Sequence, residues 1–210
     1  MIEAIYASLC PKCGGDLSTR EANRAKCERN GALCRFSGDA LVDEFVEFFK
    51  KAVGEPRSIQ LFWARRILSG ESFAAVAPTG IGKTSFGAAM ALFLATKGKR
   101  SYVILPTTLL VEQVAESMQS YAERAGIDVG LNEEGNVCIL YYHGRMGKEE
   151  KERFFQLLKQ ANVIITTTQF LARNFEAVKQ VFDFVFVDDV DSVLKASRNV
   201  DRILMLLGFR

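Results

Sequence analysis

One stretch, Ser72 to Thr84 (S-F-A-A-V-A-P-T-G-I-G-K-T), restricts what this chain can fold into more than any other. Phe73 to Ala77 form an apolar run of strand length, Pro78, Gly80 and Gly82 interrupt it, and Lys83-Thr84 open an alanine-rich helical run through Phe93. Strand, glycine loop and helix start in that order predict a phosphate-binding nest. Glycines let the backbone curl until successive N–H groups share one concavity, and the helix N-terminus adds the positive end of its dipole. Lys83 brings a point charge for β- and γ-phosphates, and the Thr84 hydroxyl is a ligand for Mg²⁺. The spacing is that of G-x-x-x-x-G-K-[ST] with Ala77 in the first glycine position. A glycine turn that merely preceded a core helix would not need lysine directly before threonine.

With 210 residues and 49% hydrophobic composition the chain can bury a core, as one domain or as one with a small second. No apolar run is long enough to span a bilayer. The first residues, M-I-E-A-I-Y-A-S-L-C, lack the basic start and long apolar centre of a signal peptide, so a cytoplasmic location without a membrane partner is expected. The net charge of +2 falls within residues 1–36 and leaves the remainder balanced.

Cys10 and Cys13 stand in C-P-K-C-G-G, followed by Cys27 and Cys34. A C-x2-C turn with two glycines after it lets two thiolates meet one metal. The second pair is spaced more widely than in most zinc ribbons. A tetrahedral Zn²⁺ on all four cysteines is the expectation, against a redox C-x-x-C without its βαβ setting or a disulfide. Too few apolar residues separate the pairs to build a core, so the metal would supply this module's folding energy. Its basic side chains are those of a DNA-contacting finger or, equally, of a solvated structural knob.

From Ser37-Gly38 the composition changes. Leu41, Phe45, Phe48 and Phe49, with Val42 and Val46, make one wide apolar helical face that Gly54 and Pro56 end. A second helix is predicted over Ile59 to Leu68. Beyond the glycine loop, apolar runs at Tyr102–Leu105, Val137–Tyr142, Val163–Thr167 and Phe184–Val187 alternate with helical segments near 107–125, 147–160 and 169–181. Such alternation predicts an α/β fold with a mostly parallel sheet covered on both faces. A last helix is predicted over Asp191 to Leu207.

In such sheets ligands bind at the carboxyl ends of the strands. There the sequence places P-T-T-L-L-V-E-Q from Pro106, H-G-R-M-G from His143, T-T-T-Q-F-L from Thr166, and D-D-V-D from Asp188. Adjacent acids at a buried strand end are costly without a cation. Asp188 is therefore assigned to Mg²⁺ opposite Thr84, Asp189 to the attacking water and Asp191 to fixing the loop; a solvated loop or a helix-start acid cluster is the bland alternative. Thr107, Thr108, Gly144, Arg145, Thr167 and Thr168 are candidates for sequence-independent nucleic-acid contact, although capping explains any one threonine. His143, the only histidine, reads as a hydrogen-bonding residue rather than a catalytic base.

Together these stretches resemble the first RecA-like domain of a superfamily 2 helicase: A-P-T-G-I-G-K-T motif I, P-T-T-L-L-V-E-Q motif Ia, T-T-T-Q-F-L motif Ib and D-D-V-D motif II. Gln60 is similar to the adenine-reading glutamine of the Q motif, with an aromatic between Phe45 and Phe49 stacking on the base. The narrower resemblance, through C-P-x-C-G-G and D-D-V-D, is to the reverse gyrases, and it covers essentially the whole chain. It implies ATP bound by Gln60, Thr79, Gly80, Ile81, Gly82, Lys83 and Thr84, with Lys83, Asp188 and Asp189 as the catalytic residues. It also implies a zinc finger over residues 1–38, a RecA-like ATPase domain over 39–210, and DNA as partner. A second RecA-like domain and a type IA topoisomerase half would follow Arg210, so the chain is expected to be an N-terminal fragment, weakly active alone. Asp189 stands where helicases carry Glu, which would slow turnover. The competing readings are a monofunctional DNA or RNA helicase and a nucleotide-gated nucleic-acid clamp; a small-molecule kinase leaves motifs Ia and Ib without a role.

Overall fold

The computed structural model describes residues 5–6, 10, 15–24, 26–29, 31–32, 39–130, 136–194 and 197–209. Cys13 and Cys34 lie outside them. The chain divides into two compact units, Met1–Phe86 and Gly87–Arg210.

In the first unit, β1 (Ile5–Tyr6) pairs antiparallel with β2 (Leu17–Ser18), and β3 (Lys26–Cys27) with β4 (Gly31–Ala32). Between the pairs runs α1 (Thr19–Arg24). Its start is held reciprocally: the Glu21 N–H donates to Ser18 Oγ at 3.2 Å and the Ser18 N–H to Glu21 Oε2 at 2.8 Å. α2 (Asp39–Ala52) buries Val42, Phe45, Phe49 and Ala52, one stripe of the helix, and ends before Gly54, whose φ is 130°. α3 (Ser58–Leu68) supplies Trp63, which meets Phe86 edge-on at 5.4 Å; Phe45 meets the same ring at 5.8 Å. Each fully buried aromatic contributes about 1.5–3 kcal/mol. This cluster is the unit's core.

The strand expected over Phe73 to Ala77 is not one. The segment is extended but joins no ladder among the described residues, and Val76 is 68% exposed. The Val76 N–H turns back to Ala74 O at 3.2 Å, which breaks the alternation that a ladder needs. Phe73 is held instead by Arg66, whose guanidinium lies 4.1 Å from the ring centroid. Three alanines bury little apolar surface and have weak strand preference, so nothing else in the run enforces pairing. α4 (Lys83–Thr96) then begins, and the boundary between the units falls within it.

The second unit holds a four-stranded parallel sheet of β5 (Ser101–Leu105), β6 (Ile139–Tyr141), β7 (Val163–Thr167) and β8 (Phe184–Val187), in the order β6-β7-β5-β8. β5 and β7, in the middle, are buried throughout. β8, at an edge, is half-buried along its length, so burial of every strand on both sides holds only for the central pair. α5 (Thr108–Ala125), α6 (Lys148–Leu157), α7 (Thr168–Val178), α8 (Val190–Leu194) and α9 (Ser197–Leu206) complete the unit; the single helix expected over Asp191 to Leu207 is two. Tyr102, Ile104, Leu140 and Ile164 on one face pack with Phe154 of α6, Phe170, Leu171 and Phe175 of α7, and Leu206 of α9. Val103, Leu105 and Ile165 alternate to the other face, where α5 lies against β5, β6 and β7.

Candidate functional site

Gly80 (φ 78°) and Gly82 (φ 85°) give the loop after Pro78 two left-handed turns that L side chains rarely adopt, and α4 starts at the next residue. Lys83 Nζ donates to Ala77 O at 2.6 Å and to Pro78 O at 3.0 Å, so its ammonium lies within the curl of its own loop. α3 grips that loop from outside. Gln60, only 5% exposed, accepts the Arg57 N–H on Oε1 at 2.9 Å, closing the start of α3. Its Nε2 donates to Gly82 O at 3.2 Å and to Ile81 O at 3.4 Å. Arg57 Nη1 reaches Gly80 O at 3.3 Å. Gln60's amide is thus committed to shaping the loop. Phe45 and Phe49 are sealed in the core, and Phe48 is half-buried, its ring 6.3 Å from that of Phe45. Arg57 had no role in the sequence reading; its place three residues before Gln60, at the start of a helix, was the available signal.

At the carboxyl end of β8, the Asp188 N–H donates to Ile104 O at 2.9 Å, and Asp188 is half-buried. Asp189 is exposed at φ 63°, the non-glycine residue with positive φ among the described residues. Asp191 lies in the first turn of α8. The threonines behave as helix caps. Thr107 Oγ1 accepts the Leu110 N–H at 3.2 Å and Thr167 Oγ1 the Phe170 N–H at 3.1 Å. Thr167 and Thr168 are buried at 9% exposure each, whereas Thr107, Thr108, Gly144 and Arg145 are exposed. His143 Nδ1 lies 3.3 Å from Glu112 Oε1, off the line that a hydrogen bond needs, and is buried without one.

Of the four cysteines, Cys10 and Cys27 are described; both are buried and neither is in a disulfide. The Cys10 N–H donates to Gly15 O at 2.9 Å. Among the described residues no three metal-ligating side chains converge, and Cys13 and Cys34 lie outside those residues. No helix among the described residues is long and apolar enough to cross a membrane.

Residues 57–208 match the DEAD/DEAH box helicase family. The whole chain is 40% identical over 232 aligned residues to reverse gyrase 1 of Aquifex aeolicus, of which it covers 19%. It is 40% identical over 242 residues to reverse gyrase of Thermococcus kodakarensis, with 99% of this chain and 14% of that protein covered. The chain therefore spans about a fifth or less of the length of these relatives. Among solved structures it is similar to the UvsW helicase of bacteriophage T4, with a TM-score of 0.57 and 20% identity over 84% of this chain and 59% of that one. That likeness shows a RecA-like helicase fold with a parallel sheet.

Proposed function

The chain belongs to the DEAD/DEAH box helicase family, and on that premise we propose that it is the nucleotide switch of a longer polypeptide that acts on DNA. Mg·ATP is held by the loop from Thr79 to Thr84: its N–H groups and the α4 N-terminus receive phosphate oxygens, and Lys83 exchanges its loop carbonyls for the β- and γ-phosphates. Gln60 and Arg57 keep the loop in shape for this. Thr84 and Asp188 hold the Mg²⁺, which neutralises charge developing on the phosphates, and Asp189 orients the attacking water. Residues 1–38 form a module in which Cys10, Cys13, Cys27 and Cys34 hold Zn²⁺, preceding the RecA-like domain of residues 39–210. DNA lies along the carboxyl edge of the sheet at Thr107, Thr108, Gly144 and Arg145, with Thr167 and Thr168 setting the α7 start beneath it.

The observation that carries this reading is the pair of left-handed glycines opening α4, with Lys83 Nζ inside the curl they make. Its test is titration of the chain with a non-hydrolysable ATP analogue and Mg²⁺. Lys83→Ala should lose binding; undiminished affinity in that variant would sink the assignment. Metal analysis under reducing conditions tests the module separately, and a chain without zinc would remove it.

The similarity to reverse gyrases extends the proposal to the parent polypeptide: it couples ATP binding and hydrolysis to positive supercoiling by a topoisomerase half. Turnover by this chain alone is then slow, because arginine fingers from another domain contribute about 10³–10⁵ in rate where they act. Relaxed plasmid incubated with the parent and Mg·ATP should gain positive supercoils, resolved by sign in two-dimensional gels. Strand separation at unchanged linking number would leave the ATP site standing and move the parent to the plain helicases.

A further inference from the structure

Beside the first half of α5, within the second unit, a cavity of about 270 Å³ opens between the helix and the end of β6 with the residues just after it. Strand alternation builds one wall. Tyr142 turns to the α6 and α7 side, against Phe154 and Phe170, so Tyr141 and His143 turn to the α5 side. Their rings are parallel to within 13° at 5.8 Å between centroids. The helix builds the other wall: Glu112, Glu116 and Gln119 follow one another along a single face of α5. Arg145 closes the rim and is exposed.

The chemistry of these walls is specific. Glu112 and Glu116 are like charges one turn apart, an arrangement that destabilises a helix unless something with donor hydrogens sits between them. Glu112 approaches His143 without a hydrogen bond, so its oxygens keep acceptor capacity. Two parallel aromatic rings offer a stacking platform, which suits a planar ligand with a π-face. Carboxylates accept from amino groups on base edges. Thr107, Thr108 and Gly144 adjoin the same elements, so a backbone passing along the sheet edge brings its bases within reach.

We propose that this cavity receives one unstacked nucleobase of a DNA strand and prefers bases whose pairing edge carries an amino group. The base extends the Tyr141–His143 stack, Glu112 and Glu116 accept from its amino hydrogens, and Arg145 meets the phosphate of the same nucleotide. Thymine is disfavoured, since its N3–H can satisfy one carboxylate while its O4 faces the other, where an amino group offers two hydrogens. The inference rests on the proposed DNA surface along this sheet edge.

The test compares short single strands of dC and dT of equal length, binding the whole 210-residue chain at one fixed salt concentration. These bases differ at C4, amino in one and carbonyl in the other, at N3, which carries hydrogen only in thymine, and at C5, where thymine adds a methyl group. The dC strand should bind about fivefold more tightly, the worth of one net hydrogen bond. Glu112→Gln should shrink that ratio, because its amide can also donate to thymine O4. Tyr141→Leu should weaken both strands through the lost stack, and Arg145→Ala should weaken both equally. Equal affinity for dC and dT, with the Arg145→Ala loss retained, would overturn the pocket and leave the DNA surface standing. Absence of binding to either strand would overturn both.

Discussion

Gln60 and Gly82 are matched at contact distance: Gln60 Nε2 donates to Gly82 O over 3.2 Å, and a Cβ built on Gly82 would stand 2.9 Å from the same nitrogen. The left-handed φ at Gly82 and the amide against it therefore specify each other. Glycine is needed at Gly80 for its φ alone, since a Cβ there meets nothing within 4 Å.

Gly80→Ala and Gly82→Ala should accordingly differ. Each carries the left-handed penalty of about 1–2 kcal/mol, and Gly82→Ala must also displace Gln60. Thermal unfolding should rank Gly82→Ala below Gly80→Ala. Equal losses would mean that the Gln60 contact adds nothing.

Gln60→Glu replaces a donor by a carboxylate oxygen facing the carbonyls of Gly82 and Ile81. The expected loss is about 1–3 kcal/mol of stability, the cost of an unsatisfied polar group. Because Gln60 acts through the loop, affinity for ATP and for GTP should fall together. A loss confined to ATP would show that the amide reads the base instead.

Asp183 joins the amino ends of the strands: Oδ2 accepts the Arg100 N–H at 2.9 Å and Oδ1 the Lys99 ammonium at 3.0 Å. The Arg100 N–H first, then the Lys99 ammonium, hold its carboxyl below the ordinary value of 3.8. A folded-state pKa below the unfolded one adds stability that is fully present above the unfolded value and is lost as pH falls through the folded value. Asp183→Asn should therefore lower the melting temperature near neutral pH, and the gap should narrow below pH 3.8. A gap constant across that range would contradict the assignment.

Asp189, the second acid of D-D-V-D, holds φ 63°. Asp and Asn adopt left-handed backbone several-fold more readily than most residues, which gives a physical reason for an aspartate here. Asp189→Asn should keep stability within about 0.5 kcal/mol, whereas a β-branched Asp189→Val should cost about 1–3 kcal/mol. Melting curves that place the two variants together would count against a backbone role.

What local pattern dictates was legible in the sequence. The apolar runs at Tyr102–Leu105, Val163–Thr167 and Phe184–Val187 become β5, β7 and β8 within a residue, because uninterrupted branched and aromatic residues suit the strands of a parallel sheet. Thr107 and Thr167 open helices as their hydroxyls suggest. Phe73 to Ala77 misled, since an apolar run of strand length says nothing about whether a partner strand is hydrogen-bonded beside it. The Gln60 clasp on Gly82 and the Tyr141–His143–Glu112 cavity join residues over twenty positions apart, so no local periodicity could announce them. The i,i+4 spacing of Glu112 and Glu116 was visible but reads equally well as a solvated helix face.

The most direct measurement of the central claim is calorimetric titration of the chain with a non-hydrolysable ATP analogue in the presence of Mg²⁺, alongside Lys83→Ala. Saturable binding at one site per chain, lost in Lys83→Ala, is the predicted result, with the emission of Trp63, the sole tryptophan, shifting in parallel through its contact with Phe86 on α4. Absence of heat in the unaltered chain, or equal affinity in the two proteins, would contradict a nucleotide switch built on this loop.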